Sequence, residues 1–421
     1  MSVPLLRRRS FRLFLSAQML GSAGVWMLRM AADWLVLKLT GSPAAVGVLV
    51  ALQFLPLLVV GPLGGMIADR HDKRRLVLLA QMASAVVAGT LAALTLTHVV
   101  ALWHLYALAV ALGLIAAIDM PARQVLVNEV VGDGSLRSAI SISNALNQGG
   151  GMVGPALAGL VIAKIGLGWA FGINALVCLA VVALFAAIRP AARMPVLARG
   201  PGQVREGFRF VVERPHLLWV VVLAGLMGAL GLNGPVVLSA FADRVWHSGA
   251  GGFGLYNSVG AVGAVAGVLV AARLPRLRTR TVVLGAALFG IAETVAAAMP
   301  TQASFIGMLA VVGATTMFFL TSAATFVQLA AEPSVRGRVL AIYSPVLLGG
   351  HACGGLLQGW LAEALGVRAG LALTGGLALM ATSAVGLALV AQSRAATRRA
   401  GRPCAATTSV VTAATGTPFP T

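Results

Sequence analysis

Twelve apolar runs follow one another through this 421-residue chain with only short polar gaps between them, each about as long as the ~20 helical residues that cross ~30 Å of hydrocarbon. Lipid offers a spanning backbone no water, so each run has to close its own hydrogen bonds as a helix. The runs are read at 13–37, 44–68, 76–97, 99–119, 138–163, 168–188, 216–240, 251–272, 281–299, 302–327, 338–362 and 368–391. The expected fold class is therefore an all-α membrane protein of twelve transmembrane helices, with both chain ends on one side. Hydrophobic residues make up 59% of the chain, charged residues 10%, and mean hydropathy is +0.92, which excludes a soluble globular protein.

The net charge of +19 would suggest nucleic acid in a soluble protein. Here 26 of the 31 Lys and Arg residues fall in the gaps on one side, four (Lys38, Lys164, Arg244, Arg368) fall on the other, and Arg29 lies inside a span. That asymmetry orients a membrane protein, with both termini in the cytoplasm and no nucleic-acid partner. Arginine outnumbers lysine 28 to 3, which fits a GC-rich bacterial genome and hence a bacterial cytoplasmic membrane. Arg7-Arg8-Arg9-Ser10-Phe11 is similar to a twin-arginine export signal but has no cleavage site after it, and reads as a basic anchor. Cys178, Cys353 and Cys404 have neither disulfide nor metal-ligand spacing.

Residues 150–166 recur at 350–366: Gly150, Gly154, Gly159 and Gly166 return as Gly350, Gly354, Gly359 and Gly366. A constant offset of 200 residues across four glycines indicates a duplicated chain. The expected organisation is a cytoplasmic N-terminus at 1–12, six-helix halves at 13–188 and 216–391, a cytoplasmic linker at 189–215 and a disordered cytoplasmic tail at 392–421. Paired halves of this kind place a substrate site between them near the bilayer midplane and work by rocking.

Between the second and third runs stands Gly64-Gly65-Met66-Ile67-Ala68-Asp69-Arg70-His71-Asp72-Lys73-Arg74-Arg75. It resembles the loop joining the second and third helices of major facilitator superfamily transporters. The resemblance implies that Asp69 and Arg70 latch the halves together in the outward-facing state, with Gly65 allowing close helix contact and Arg74 in the basic cluster; the arginines also serve as topology markers. The second half repeats the basic cluster but has Ala271 in place of Asp69. Gly150-x-x-x-Gly154-Pro155-x-x-x-Gly159 resembles the helix motif of that superfamily's antiporters, and the same spacing serves plain tight packing. Trp26 through Ser42, Asp119-Met120-Pro121-Ala122-Arg123-Gln124 and Arg336 through Tyr343 are similar to the bacterial enterobactin-exporter-like, or transmembrane secretion effector, branch over residues 11–390. That likeness implies efflux of a small organic molecule driven by the proton gradient, by antiport and alternating access, and the low intramembrane charge points to an apolar or amphipathic cargo.

Charges inside apolar runs are costly, so each is a functional candidate. Arg29 and Asp33, four apart on the first helix, are expected to pair, with Asp33 ~12 Å beyond the span centre near the outer surface. Asp33 reads as a proton or cation site or as an interfacial ion pair. Glu293 has no partner nearby in sequence and reads as a proton carrier or a water-facing group. His351 is expected at mid-membrane as a proton site or a packing residue, and Trp26 deep enough to line a cavity. Asp119 and Arg123 are read as gate or latch residues ending the fourth helix where Pro121 breaks it, and Arg336, near counterpart of Arg137, joins the latch set. No lysine follows a glycine, so an ATP-driven pump's phosphate loop is missing, and no His-Glu-x-x-His, Cys-x-x-Cys or Gly-x-Ser-x-Gly pattern supports an enzyme, a metal or another cofactor. The partners expected are a small-molecule substrate, protons and the lipid bilayer, for a monomer. An uptake symporter on the same scaffold and a non-transporting membrane scaffold are the alternatives.

Overall fold

The computed structural model describes residues 9–131, 136–188, 203–274, 277–331 and 335–400. The chain rises and falls through α1 (Arg9–Thr40), α2 (Pro43–Arg70), α3 (Lys73–Leu96), α4 (Leu102–Val131), α5 (Leu136–Ile165) and α6 (Leu167–Ala187). A short helix α7 (Gln203–Val212) then leads into α8 (Pro215–Gly231), α9 (Gly234–Ala240) and a π-helical turn (Phe241–Val245) that continue one rod. The second half is completed by α10 (Gly249–Ala272), α11 (Thr279–Ala297), α12 (Gln302–Ala330), α13 (Arg336–Ala364) and α14 (Val367–Ala400). The described residues are all-α, with two six-rod halves, α1–α6 and α8–α14. Among the described residues, ten of the rods are long and apolar enough to cross a membrane.

The short turns are closed by local chemistry. Ser42 Oγ accepts from the Ala45 N–H and Pro43 sets the first turn of α2. Asp72 Oδ1 caps α3 through the Arg75 N–H at 3.0 Å, and Thr301 with Ser304 forms a capping box on α12. Gly166 (φ 103°) and Gly366 (φ 89°), partners in the repeat, turn the chain in the left-handed region that glycine reaches without strain.

The repeated glycines perform the same packing in each half. In α5, Gly150 lies against Ser22 and Ala23 of α1, Gly154 against the Ala23 carbonyl and Trp26, and Gly159 against Gly254 of α10. In α13, Gly350 lies against the Gly225 carbonyl of α8, Gly354 against the Ala229 carbonyl, and Gly359 against Pro43 and Ala44 of α2. Each of these two helices thus seats one face on its own half and the other on the opposite half. Small residues are what allow such backbones to meet.

Three expectations are corrected. The fourth helix does not end at Pro121 but runs to Val131. Proline removes one N–H, leaving the Ala117 carbonyl without its i+4 donor, and side-chain-free Gly64 of α2 packs onto that carbonyl. The seventh span is broken at Leu232 and Asn233 instead of continuous, because Pro235 offers no N–H to Gly231. The carbonyls around the break are met by side chains: Asn233 Nδ2 donates to Gly228 at 3.3 Å and Gln358 Nε2 donates to Leu230 at 2.5 Å. The tail expected to be disordered from 392 is helical to Ala400, since its alanines and arginines favour helix; 401–421 lie outside the described residues, as do 1–8 and most of the linker, 189–202.

Candidate functional site

Call the side on which α1 begins and α14 ends the terminal face, and the opposite side the far face. The halves approach most closely towards the far face. A methyl group at Gly47 would fall on the Gly355 carbonyl, and one at Gly159 would stand 2.8 Å from Cα of Gly254. Further towards the terminal face Leu58 lies against Gly349, and at Gly61 a side chain would meet nothing within 4 Å.

The far-face seam is locked by charge and aromatic stacking. Lys38 Nζ, ending α1, bonds Asp243 Oδ1 of the other half at 2.8 Å. Arg244 donates across the seam to the Gly41 carbonyl and pairs with Glu363 at 3.3 Å. The π turn makes this possible: its wider ring, closed by the Trp246 N–H on the Phe241 carbonyl, sets Asp243 and Arg244 at the seam. Beneath the ion pairs Trp34 of α1 stacks on Phe253 of α10 with centroids 5.9 Å apart, and Phe241, Phe305 and Tyr256 form a fully buried aromatic block. Lys38, Asp243, Arg244 and Glu363 were not among the sequence-predicted site residues. Their signal was rarity, since few charges lie on that side at all.

Below this lid lies a second cross-half cluster. Phe54 of α2 stands between the Arg29 guanidinium, 4.7 Å from its centroid, and the His351 ring of α13, 4.3 Å away edge-on. Arg29 also lies over Trp26 at 5.6 Å, and Trp26 is 37% exposed beside Gly151 and Gly154. His351 Nδ1 is buried without a hydrogen-bond partner. Asp33, read as lying near the surface, is only 2% exposed, and its Oδ1 accepts no hydrogen bond. Among the described residues Arg29 and Asp33 make no ion pair, so the expected pairing is corrected. Long helical side chains lean back over the preceding turn, which carries Arg29 towards Trp26 and away from Asp33. Glu293 on α11 is 4% exposed with Oε2 unpartnered. One helical turn before it, Phe289 packs on Gly231, so the same α11 face looks towards the broken α8–α9 rod.

The remaining predicted residues lie nearer the terminal face. Arg123 bonds Asp119 at 2.6 Å, reaches Gln18 of α1 at 3.5 Å and lies over Phe185 of α6. Arg74 donates to the Phe185 carbonyl at 3.0 Å and to that of Ala186. These contacts bind α1, α3, α4 and α6 within one half and do not cross between halves. Gly65 is half-buried and Arg70 exposed; the side chains of Asp69 and Arg336 lie outside the described residues. Pro155 is carried within α5, its carbonyl beside Gly254. Among the described residues no group of His, Cys, Asp and Glu is arranged to hold a metal ion.

The family model described as transmembrane secretion effector matches residues 2–405. The chain is 28% identical over 382 residues to the multidrug efflux pump Tap of Mycolicibacterium fortuitum, covering 86% of this chain and 91% of that one. It is 25% identical over 369 residues to the enterobactin exporter EntS of Escherichia coli O1:K1, covering 84% and 85%. A match of 28% over 226 residues to the uncharacterized MFS-type transporter YfiS of Bacillus subtilis covers about half of each chain, 52% and 53%. Among solved structures, a bacterial homologue of the lysosomal transporter Spinster in an inward-facing, unoccupied conformation superposes with TM-score 0.74 at 16% identity over 90% of this chain and 96% of its own. The nucleoside transporter NupG superposes with TM-score 0.72 at 13% identity over 90% and 99%.

Proposed function

We propose that this chain, which belongs to the transmembrane secretion effector family of major facilitator transporters, exports a small amphipathic or apolar organic molecule in exchange for protons. The observation that carries the reading is Asp33, a buried carboxyl in the far-face half of α1 with an unpartnered oxygen. A group so placed has a large energetic reason to change protonation when the lid opens and water reaches it. Glu293 is the second candidate of the same kind, in the other half. Export is supported by the relatives named as an efflux pump and an exporter. Seams tight at the far face and parted towards the terminal face correspond to an inward-facing state, in which cargo enters from the cytoplasm and Lys38–Asp243 and Trp34–Phe253 must separate to release it.

The arginine asymmetry supports both termini in the cytoplasm of a bacterial membrane. A site built from both halves of one chain supports the monomer as the transport unit. Asp69 and Arg70, with Arg336 on the facing rod, are proposed to latch the terminal face when the molecule faces outward.

The test is counterflow in proteoliposomes loaded with a panel of dyes, antibiotics and siderophores, with an imposed pH gradient. Accumulation driven by the gradient, abolished by a protonophore and lost in Asp33→Asn, is the expected result. Substrate movement in the same direction as the protons turns the assignment to uptake. Transport indifferent to the gradient removes the proton from the mechanism.

A further inference from the structure

The starts of α8 and α11 and the end of α12 line an open cavity of about 530 Å³ at the terminal face. Its wall carries Arg214, His216 and Arg278 on the polar side and Leu217 and Phe326 on the apolar side. The acidic residue of the wall, Glu213, is held by Arg209 at 3.2 Å. Both α8 and α11 begin here, neither closed by a side-chain cap, so their positive ends add to the arginines.

Helix α7 ends beside this cavity, one residue before its lining residues Glu213 and Arg214 begin. It packs on α13 and α8 through buried Val211, yet leaves Phe208 and Val212 exposed beside the strongly exposed Arg209. An isolated apolar edge next to cations, at the level where transmembrane rods begin, is the pattern of a helix lying in the headgroup layer. The Arg214 guanidinium over the Phe210 ring, 3.4 Å from its centroid, joins that helix to the cavity mouth. A molecule in this position needs a negative head and an apolar body reaching along Phe326.

We propose that the cavity binds the phosphate headgroup of an anionic phospholipid, with Arg214, His216 and Arg278 as its recognition residues beside the interfacial helix α7. A basic pocket between rods on the side where α7 lies matches the charge and depth of such a lipid, and free anions do not explain the apolar edge.

The test is native mass spectrometry and thermal unfolding of the purified full-length protein, titrated separately with phosphatidylglycerol, phosphatidylcholine and inorganic phosphate. Phosphatidylglycerol is expected to be retained and to raise the unfolding temperature, phosphatidylcholine to do so weakly, and phosphate alone not at all. Arg278→Gln is expected to weaken retention about fivefold, and Arg278→Lys, which keeps the charge, to restore most of it. Equal retention of the two lipids, a full response to inorganic phosphate, or unchanged lipid retention in Arg278→Gln combined with Arg214→Gln overturns the proposal.

Discussion

At Asp33 a single carboxyl carries an energetic conflict that the surrounding helices do not relieve. It is buried, its Oδ1 accepts nothing, and the arginine one turn away leans towards Trp26 and Phe54. Coupling free energies of about 1–3 kcal/mol correspond to 5–150-fold effects. Asp33→Asn is therefore expected to lower gradient-driven export at least fivefold while leaving expression and insertion unchanged, read from proteoliposome flux and membrane yield. Equal flux in that variant removes Asp33 from coupling. The residue types at these positions were legible from sequence, because any charge inside an apolar run is conspicuous. Their surroundings were not: counting 1.5 Å per residue places Asp33 near a surface, but depth along a rod does not say whether lipid, water or the other half covers it. In the fold Asp33 is buried, 2% exposed.

At the scale of the helix, the glycines of α5 and α13 are spacers that set how closely two backbones come. Gly154→Leu would drive a side chain into the Ala23 carbonyl and Trp26, and overpacking of this kind costs about 1–3 kcal/mol. The expected outcome is a lowered unfolding temperature in detergent; Gly61→Ala, with nothing within 4 Å of the added methyl, is expected to leave it unchanged. The broken rod makes a different prediction. Pro235→Ala restores a donor for the Gly231 carbonyl and lets α8 run into α9, so turnover is expected to fall while folding is kept, measured by export rate against thermal stability. The repeat was visible in sequence because four glycines share one offset. The break was hidden, since an apolar window averages over Gly231-Leu232-Asn233-Gly234-Pro235 and only the Gly and Pro in that run betray it. Pro121 misled in the other direction, because a glycine on a neighbouring helix, invisible in local sequence, accommodates it.

For the whole molecule, the lid ties the two halves together at the far face. Lys38 and Asp243 are 51% and 26% exposed in their side chains, and such partly exposed pairs are worth about 0–1 kcal/mol. Lys38→Glu is thus expected to raise the outward-facing share by up to about fivefold, and Lys38→Glu with Asp243→Lys to return it, scored by labelling of a cysteine placed below Trp34. No change in either variant leaves the aromatic stack as the main closure. The all-α fold class was legible in the sequence, because lipid demands long apolar helices. The conformation was not, since both states of a rocking transporter satisfy the same hydropathy. The far-face seam itself is built from Gly47 on Gly355 and Gly159 on Gly254, main chain on main chain. Such a joint has few side-chain rotamers to freeze on closing or release on opening. Its parting is expected to carry little configurational entropy, and the temperature dependence of gating then reports the breaking of the ionic lid and the sliding apart of polypeptide dipoles more than the loosening of side chains.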